Sequence, residues 1–520
     1  MSGRQFIANA WTGEGAPRRV LIETEGDRIT TVVPEGTRPV LAGAITLPDE
    51  ALLIPGLHDA HAHLVIGGLQ LGWCRFQEVK TLEQFSDVFA HYVRQQNGTD
   101  WIRGVSLDET RVRITRLEID RICSDVPVFI WSHDLHSAFV NSAALIHARI
   151  DGSVKDPAGG HFERDAQGKL NGVLRESAAH VVERMIPPVS NSEARQALLR
   201  AQKYAFSLGV TAISSSARVE DIPHYLSFAD SADCRIRINL WRVSEHFNFE
   251  EDRFERQSRT GFRYGTLKGF ADGALGSRSA AFWEPYSDTG GTGVALVREG
   301  PLGRWIKAAH REGYQIAIHA IGDRANSICL DAIEMATASG RGPEYRPRIE
   351  HCQHLRERDI PRFAELGVIA SMQPIHCTAD MRFVEPRLGA ERTARSYVWK
   401  SLLKHGARLA FGTDWPVEDL NAVAGLHAAV TRQNENDEPP GGWLAQERLS
   451  VAEALHAYTA GGAYAAFWEK DLGSISTGKL ADFTVLSKNI FDCEPREIKD
   501  ARVLMTVVGG EVVYESLAVK

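Results

Sequence analysis

The feature that most constrains this chain is a recurrence. Short β-rich runs, each closing on a polar or glycine-rich turn, alternate with segments of helical period. The runs are Ala51 to His58, Gly209 to Ser214, Arg235 to Val243, Thr266 to Ala271, Tyr314 to His319, Arg346 to His351, Gly367 to Met372 and Arg408 to Thr413. Helical spacing between them predicts helices over Ser192 to Leu208, Leu302 to Glu312, Ala325 to Ala338 and Ala394 to Gly406, each long enough to cross from one parallel strand to the next. Strand and crossover repeated in this way predict an α/β fold, a closed (β/α)8 TIM-type barrel.

Two regions fall outside the barrel count. The stretch from about Gly67 to Pro188 carries its own helices and strands and reads as a subdomain inserted after strand 1, over the catalytic mouth. Its Gly- and Asp-rich tip, Asp156 to Gly172, reads as a loop or hairpin. The chain ends, Gln5 to Pro34 and Lys479 to Tyr514, are β-patterned, and Gly509-Gly510 marks a hairpin. The expected domains are a small β-sandwich from residues 1–54 plus 471–520, and a barrel over 55–470 with the insertion at about 67–190.

Composition narrows the function. With 43% hydrophobic and 24% charged residues in 520, a large soluble core is expected. The 59 basic and 67 acidic residues give a net charge of −8 and no basic face, which argues against nucleic acid. No apolar window is long enough to predict a membrane span, and no signal-peptide pattern is seen, so the cytoplasm is the expected location. Seven scattered cysteines without a CxxC predict neither a disulfide framework nor a zinc knuckle. Neither a GxSxG elbow nor a P-loop is present. A homo-oligomer is common for barrels, and no interface is legible.

The strongest local signal is Pro55-Gly-Leu-His-Asp-Ala-His61-Ala-His63, at the end of the first run. Side chains two apart on a strand share a face, so His61 and His63 can converge on one ion. His319 and His351 end two later strands, and Asp414 ends the eighth. In a barrel the C-terminal strand ends meet at one mouth, which would gather these five residues. Imidazole nitrogens with a carboxylate suit a divalent metal, zinc first, then manganese, iron or cobalt.

These motifs resemble the amidohydrolase superfamily. More narrowly, Leu267-Lys-Gly-Phe-Ala-Asp-Gly-Ala-Leu-Gly-Ser-Arg278, His319-Ala-Ile-Gly-Asp323 and Phe411-Gly-Thr-Asp-Trp-Pro-Val417 resemble its amidohydrolase-3 branch, which includes N-substituted formamide deformylases. Trp101-Ile-Arg-Gly104, His136-Ser-Ala-Phe-Val-Asn141 and Gly473-Ser-Ile-Ser-Thr-Gly-Lys-Leu-Ala-Asp482 do so as well. The resemblance implies one or two ions, with His61 and His63 on one and His319 and His351 on the other. It places Lys268 where a carboxylated, bridging lysine is found, and Asp414 where a ligand and general base is found. His136 is of the kind this branch aims at the substrate from its insertion. Two positions depart from the pattern: Leu135 stands where glycine is common, and His58, where an apolar residue is usual, is read as a surface ring.

The function expected is hydrolysis of a C–N bond (amide, N-formyl or related) of a small molecule by a metal-bound hydroxide, with Asp414 taking the water proton and delivering it to the departing nitrogen. Trp73, His136, Arg278, Phe282, Trp283 and Trp415 are candidate substrate-lining residues, suiting an apolar or aromatic group with a polar or anionic handle. Hydrolysis of an ester, lactone or carbamate by the same centre is the main alternative. A mononuclear deaminase would need a glutamate near His319, and no HxxE follows it. A non-catalytic scaffold would be expected to lack a ligand, and every ligand position is filled.

Overall fold

The computed structural model describes residues 3–96, 98, 100–132, 136–338 and 345–516, so Leu135 lies outside the described residues. Eight strands pair in parallel in chain order: β1 Leu57–Ala62, β2 Val210–Ala217, β3 Arg237–Val243, β4 Phe262–Phe270, β5 Gln315–Ala320, β6 Arg348–His351, β7 Ile369–Met372 and β8 Arg408–Phe411. β8 and β1 meet just beyond the end of β8, through a bridge between Ala62 and Trp415. Asp414 N donates to His61 O (2.7 Å) and His63 N to Trp415 O (2.7 Å), so the eight strands make a nearly closed TIM-type barrel. A Cβ on Gly412 would lie 2.5 Å from His61 N and 2.6 Å from Asp59 Oδ1, so close approach of the two edges requires glycine there.

Strand alternation sets the interior. Thr266 and Lys268 share one face of β4, and Gln315, Ala317 and His319 the matching face of β5; Thr266 Oγ1 donates to Gln315 Oε1 at 2.9 Å. Further around, Asn239 Nδ2 donates to Ser214 Oγ and Arg263 Nη1 to Asn239 Oδ1. Below its mouth this barrel is filled by a hydrogen-bonded polar layer.

Three expectations are corrected here. The run Ala51 to His58 is two strands: Leu52–Pro55 pairs antiparallel with Phe483–Leu486, and β1 begins only at Leu57, after Gly56. The helix expected over Ala394 to Gly406 is cut to Trp399–Lys404, because Tyr397 sits in the left-handed region at φ 53°. His58 is no surface ring. It is 2% exposed, 3.2 Å from Ser214 Oγ through Nε2, with its ring against Trp468, and burial pushes its pKa down to about 3.

The chain ends pair by hydrogen bonding into one continuous eight-stranded sheet. Its alternating residues Phe6, Ala8 and Ala10, Val20 and Ile22, Phe483 and Val485, and Met505 and Val507 make an apolar cluster, with the Phe6 and Phe483 rings 5.5 Å apart edge to face. This sheet packs with the barrel as one unit, Met1–Val65 with Ala201–Lys520. Arg237 of β3 holds Asp482 through two hydrogen bonds (3.0 and 3.1 Å), and Gly56 N donates to Asp482 O.

Ile66–Arg200 is a second compact unit. Six strands run Gly160–Arg164, Leu170–Glu176, Ser137–Val140, Val128–Ser132, Ile102–Leu107, Cys74–Arg75 across its sheet, the first two forming a hairpin. Alternation along Phe129-Ile130-Trp131 sends Ile130 to one apolar cluster and its neighbours to the other, so the sheet is covered on both faces.

Candidate metal centre

Five strand ends supply the site. β1 carries His61, with His63 just beyond it, and Asp414 follows β8 at φ 61°, a conformation costly for a non-glycine residue and least so for aspartate and asparagine. Asp414 Oδ1 lies 3.0 Å from His63 Nε2 and 3.5 Å from His61 Nε2. On β6, alternation should send His351 away from the face that carries Glu350. His351 and Cys352 take φ values of 76° and 45°, which end the strand and turn the imidazole back to the mouth, its ring 5.1 Å from that of His61 and 4.4 Å from that of His319.

The rings of His61, His351 and His319 are each oriented through the other nitrogen. His61 Nδ1 donates to Glu350 Oε2 (2.8 Å), and Glu350 is held by Arg348 Nε (2.8 Å), whose Nη2 also reaches Ala60 O and Ser371 Oγ. His351 Nδ1 donates to Gln373 Oε1 (2.9 Å), leaving Nε2 for an ion. His319 Nε2 donates to Gly273 O (3.1 Å), leaving Nδ1. A carboxylate or carbonyl behind the imidazole is the usual way of fixing tautomer and aim at a metal.

Burial keeps these rings neutral. It pushes His61 down to about 4 and His319 to about 3, with Lys268 adding to both, and holds His351 well below the usual range. Burial alone would raise Asp414, but His61 and the contact with His63 outweigh it and keep the carboxyl well below the ordinary carboxylate range. Burial likewise opposes ionisation of Glu350, and Arg348 with His61 holds it low. Lys268 is pushed by burial down to about 8, against the attraction of Glu350 and Asp414, and its Nζ has no hydrogen-bond partner. Neutral imidazoles and an ionised carboxylate are the protonation states a metal site needs.

Among the described residues, two groups of three donors have ligand atoms within 4.8 Å of one another: His61, His63 and Asp414; and His351, His376 and Asp414. Asp414 belongs to both. His319 adjoins these groups without belonging to either, its ring 4.4 Å from that of His351, and Lys268 lies close enough to act on its charge. Glu350, Gln373 and His376 were not singled out from the sequence. Glu350 was legible only as the neighbour of His351 two residues from Arg348, and Gln373 and His376 lie beyond β7, a strand that offered no histidine of its own.

A model of the amidohydrolase family matches residues 49–514. The chain belongs to the amidohydrolase family. Protein LONG AFTER FAR-RED 3 of Arabidopsis thaliana is 36% identical over 89% of this chain and 82% of its own length. The N-substituted formamide deformylase of Arthrobacter pascens is 26% identical over 94% of each. Among solved structures, a metal-dependent hydrolase from Pyrococcus furiosus superposes with a TM-score of 0.78 at 26% identity, covering 94% of this chain and all of that one. Membership and the donor set together support a metal-dependent hydrolase. No helix among the described residues is long and apolar enough to cross a membrane.

The residues expected to line the amidohydrolase's substrate pocket divide between the two units. Trp73 and His136 belong to the second unit, Trp73 under the Arg103 guanidinium (5.2 Å) and His136 3.1 Å from Glu176. Arg278 gives two hydrogen bonds to Asp288, and Phe282 is enclosed in the cluster of Leu275, Tyr286 and Leu388. Trp415 is buried at the β1–β8 closure with its ring 5.9 Å from Tyr204, a packing position. Trp283 is half exposed, between the guanidinium groups of Arg324 and Arg356.

Proposed function

We propose that this amidohydrolase cleaves a carbon–nitrogen bond, amide or N-formyl, of a small molecule, using a divalent metal, zinc first. The observation that carries the reading is that one buried, ionised carboxylate, Asp414, is common to two three-donor groups at the barrel mouth. The donor set fits the ion: nitrogen and carboxylate ligands, neutral rings already aimed, and Lys268 Nζ and His376 Nε2 buried without partners. His61, His63, His351 and Asp414 would hold it, with His319 and Lys268 beside them. A bound divalent ion supplies an ionised water at neutral pH and polarises the scissile carbonyl.

The chain's own residues then manage the proton. Asp414 accepts it from the attacking water, whose oxygen bonds to the carbonyl carbon. As the tetrahedral centre collapses and the C–N bond breaks, Asp414 returns the proton to the departing nitrogen. An amine leaves only when protonated, so this relay matters more for an amide than for an ester; the kinship to a formamide deformylase points the same way. Glu350 and Gln373 keep His61 and His351 in register. The depressed pKa of Lys268 raises its unprotonated fraction at neutral pH by about two orders of magnitude over an ordinary lysine. Its Nζ can then add carbon dioxide, releasing one proton and gaining a carbamate with two oxygen donors.

The test is elemental analysis of protein prepared without chelator, for wild type, Lys268→Ala and Asp414→Asn, with assays on N-formyl amines, amides and matched esters. We expect about two ions in wild type, fewer after Lys268→Ala, and loss of amide cleavage with metal retained after Asp414→Asn. Absence of any ion after added zinc or manganese would overturn the reading.

A further inference from the structure

Beyond β7, helix Pro374–Leu388 begins with Gln373 as its N-cap, and its first turn brings His376 to the mouth. Gln373 engages His351 Nδ1, so His351 presents Nε2. His376 is 8% exposed, and its Nε2 is buried without a hydrogen-bond partner. Its ring lies parallel to that of His351, 10° between planes and 6.1 Å between centroids. One ligand atom from each of His351, His376 and Asp414 lies within 4.8 Å of the others. His354 also buries an Nε2 without a hydrogen-bond partner, yet among the described residues it belongs to no such group. The desolvation of His376 Nε2 is uncompensated in the protein alone, and an ion held by His351 and Asp414 would compensate it.

We propose that His376 is itself a metal ligand, completing with His351 and Asp414 a three-residue site alongside the one formed by His61, His63 and Asp414. A ligand from the helix after β7 would add a donor to the second ion beside the Nδ1 that His319 presents, its Nε2 being held by Gly273 O. The proposal rests on the metal-centre reading given above.

The experiment loads metal-free wild type, His376→Ala and His376→Cys with cobalt(II). Ion content, affinity and the visible and near-ultraviolet spectra are then measured, with circular dichroism to confirm folding. We expect His376→Ala to bind its second ion at least ~10-fold more weakly and to change the visible cobalt bands. His376→Cys should show a thiolate-to-cobalt charge-transfer band that the wild type, with its seven native cysteines, lacks. Wild-type affinity for both ions in the folded alanine variant, with unchanged visible bands and no charge-transfer band in the cysteine variant, would overturn the proposal. If His376→Ala does not fold, the band in His376→Cys decides. A wild type that binds no cobalt, zinc or manganese would instead overturn the metal-centre reading itself.

Discussion

Two places on opposite sides of the barrel mouth differ sharply from what lies between them. At the β8–β1 closure Asp59 accepts from His61 N (3.0 Å), Thr413 N (3.1 Å) and Thr413 Oγ1 (2.6 Å). Between β4 and β5 Asp272 accepts from Ile321 N, Gly322 N and Ala281 N at 2.8–2.9 Å. Each carboxyl group accepts three hydrogen bonds: Asp59, on β1, ties that strand to the turn after β8, and Asp272 ties the loop after β4 to the loop after β5. In the metal centre itself, Lys268 Nζ and His376 Nε2 have no partner. Burial is similar throughout; satisfaction is not. A buried polar group with its bonds complete braces the fold, and one without them that lies among other donor atoms is placed for a ligand.

The same chemical change should therefore have opposite consequences. Asp414→Asn should lower kcat by at least ~10³-fold while changing urea-unfolding stability little. Asp59→Asn should leave kcat near wild type, because an amide oxygen can still accept the two backbone N–H groups. A comparable kcat loss at both positions would erase the distinction between brace and site. Truncation at the brace is the next largest effect: Asp59→Ala strands two buried N–H donors and a hydroxyl, and should cost at least about 3 kcal/mol in urea unfolding, enough to open the β1–β8 edge.

Much of this was legible in the sequence, and the boundary has physical causes. Period and turn chemistry located the barrel strands after the first to within a few residues, because a strand buried on both faces is a continuous apolar run ended by a turn. His61, His63 and Asp414 were legible because all three sit at the ends of strands that the barrel brings together. What was illegible depends on backbone conformation or distant partners. Nothing local in Arg348-Ile-Glu-His351 announces that positive φ turns His351 inward beside Glu350. His376 lies on a helix whose first turn reaches the mouth only once the barrel exists. The Gln5–Pro34 and Lys479–Tyr514 ends were found by alternation, but the order in which their strands pair is a tertiary property.

Gln373 sharpens the comparison from the side of the ligands. Its Oε1 holds His351 Nδ1, so Gln373→Ala should weaken the more labile ion by ~10–100-fold in a competition titration with a chelator. Stability of the metal-free protein should fall by only about 1 kcal/mol. A large loss of stability with unchanged ion affinity would make Gln373 a brace like Asp59.

The smallest effect is a slope. His354 donates through Nδ1 to Ser396 Oγ or accepts from it at 2.9 Å, its Nε2 is buried without a partner, and burial, with Arg392 adding, pushes its pKa from 6.5 down to about 3. Between those values the unfolded chain takes up a proton that the folded chain refuses. The contribution of His354 to stability is therefore complete above pH 6.5 and is lost as pH falls toward 3, at about 1.4 kcal/mol per pH unit. Asp59 and Asp272, raised by burial to about 7, bind protons in the folded state over much of the same range and tilt the curve the other way. The difference between wild type and His354→Asn removes that background. Urea unfolding of the metal-free proteins at pH 7, 6 and 5 should give a shallower decline for the variant. Equal slopes would mean that His354 accepts a proton within the fold, and an unpartnered nitrogen would then be open to water as well as to a ligand, so that His376 Nε2 would lose its claim to be held for an ion.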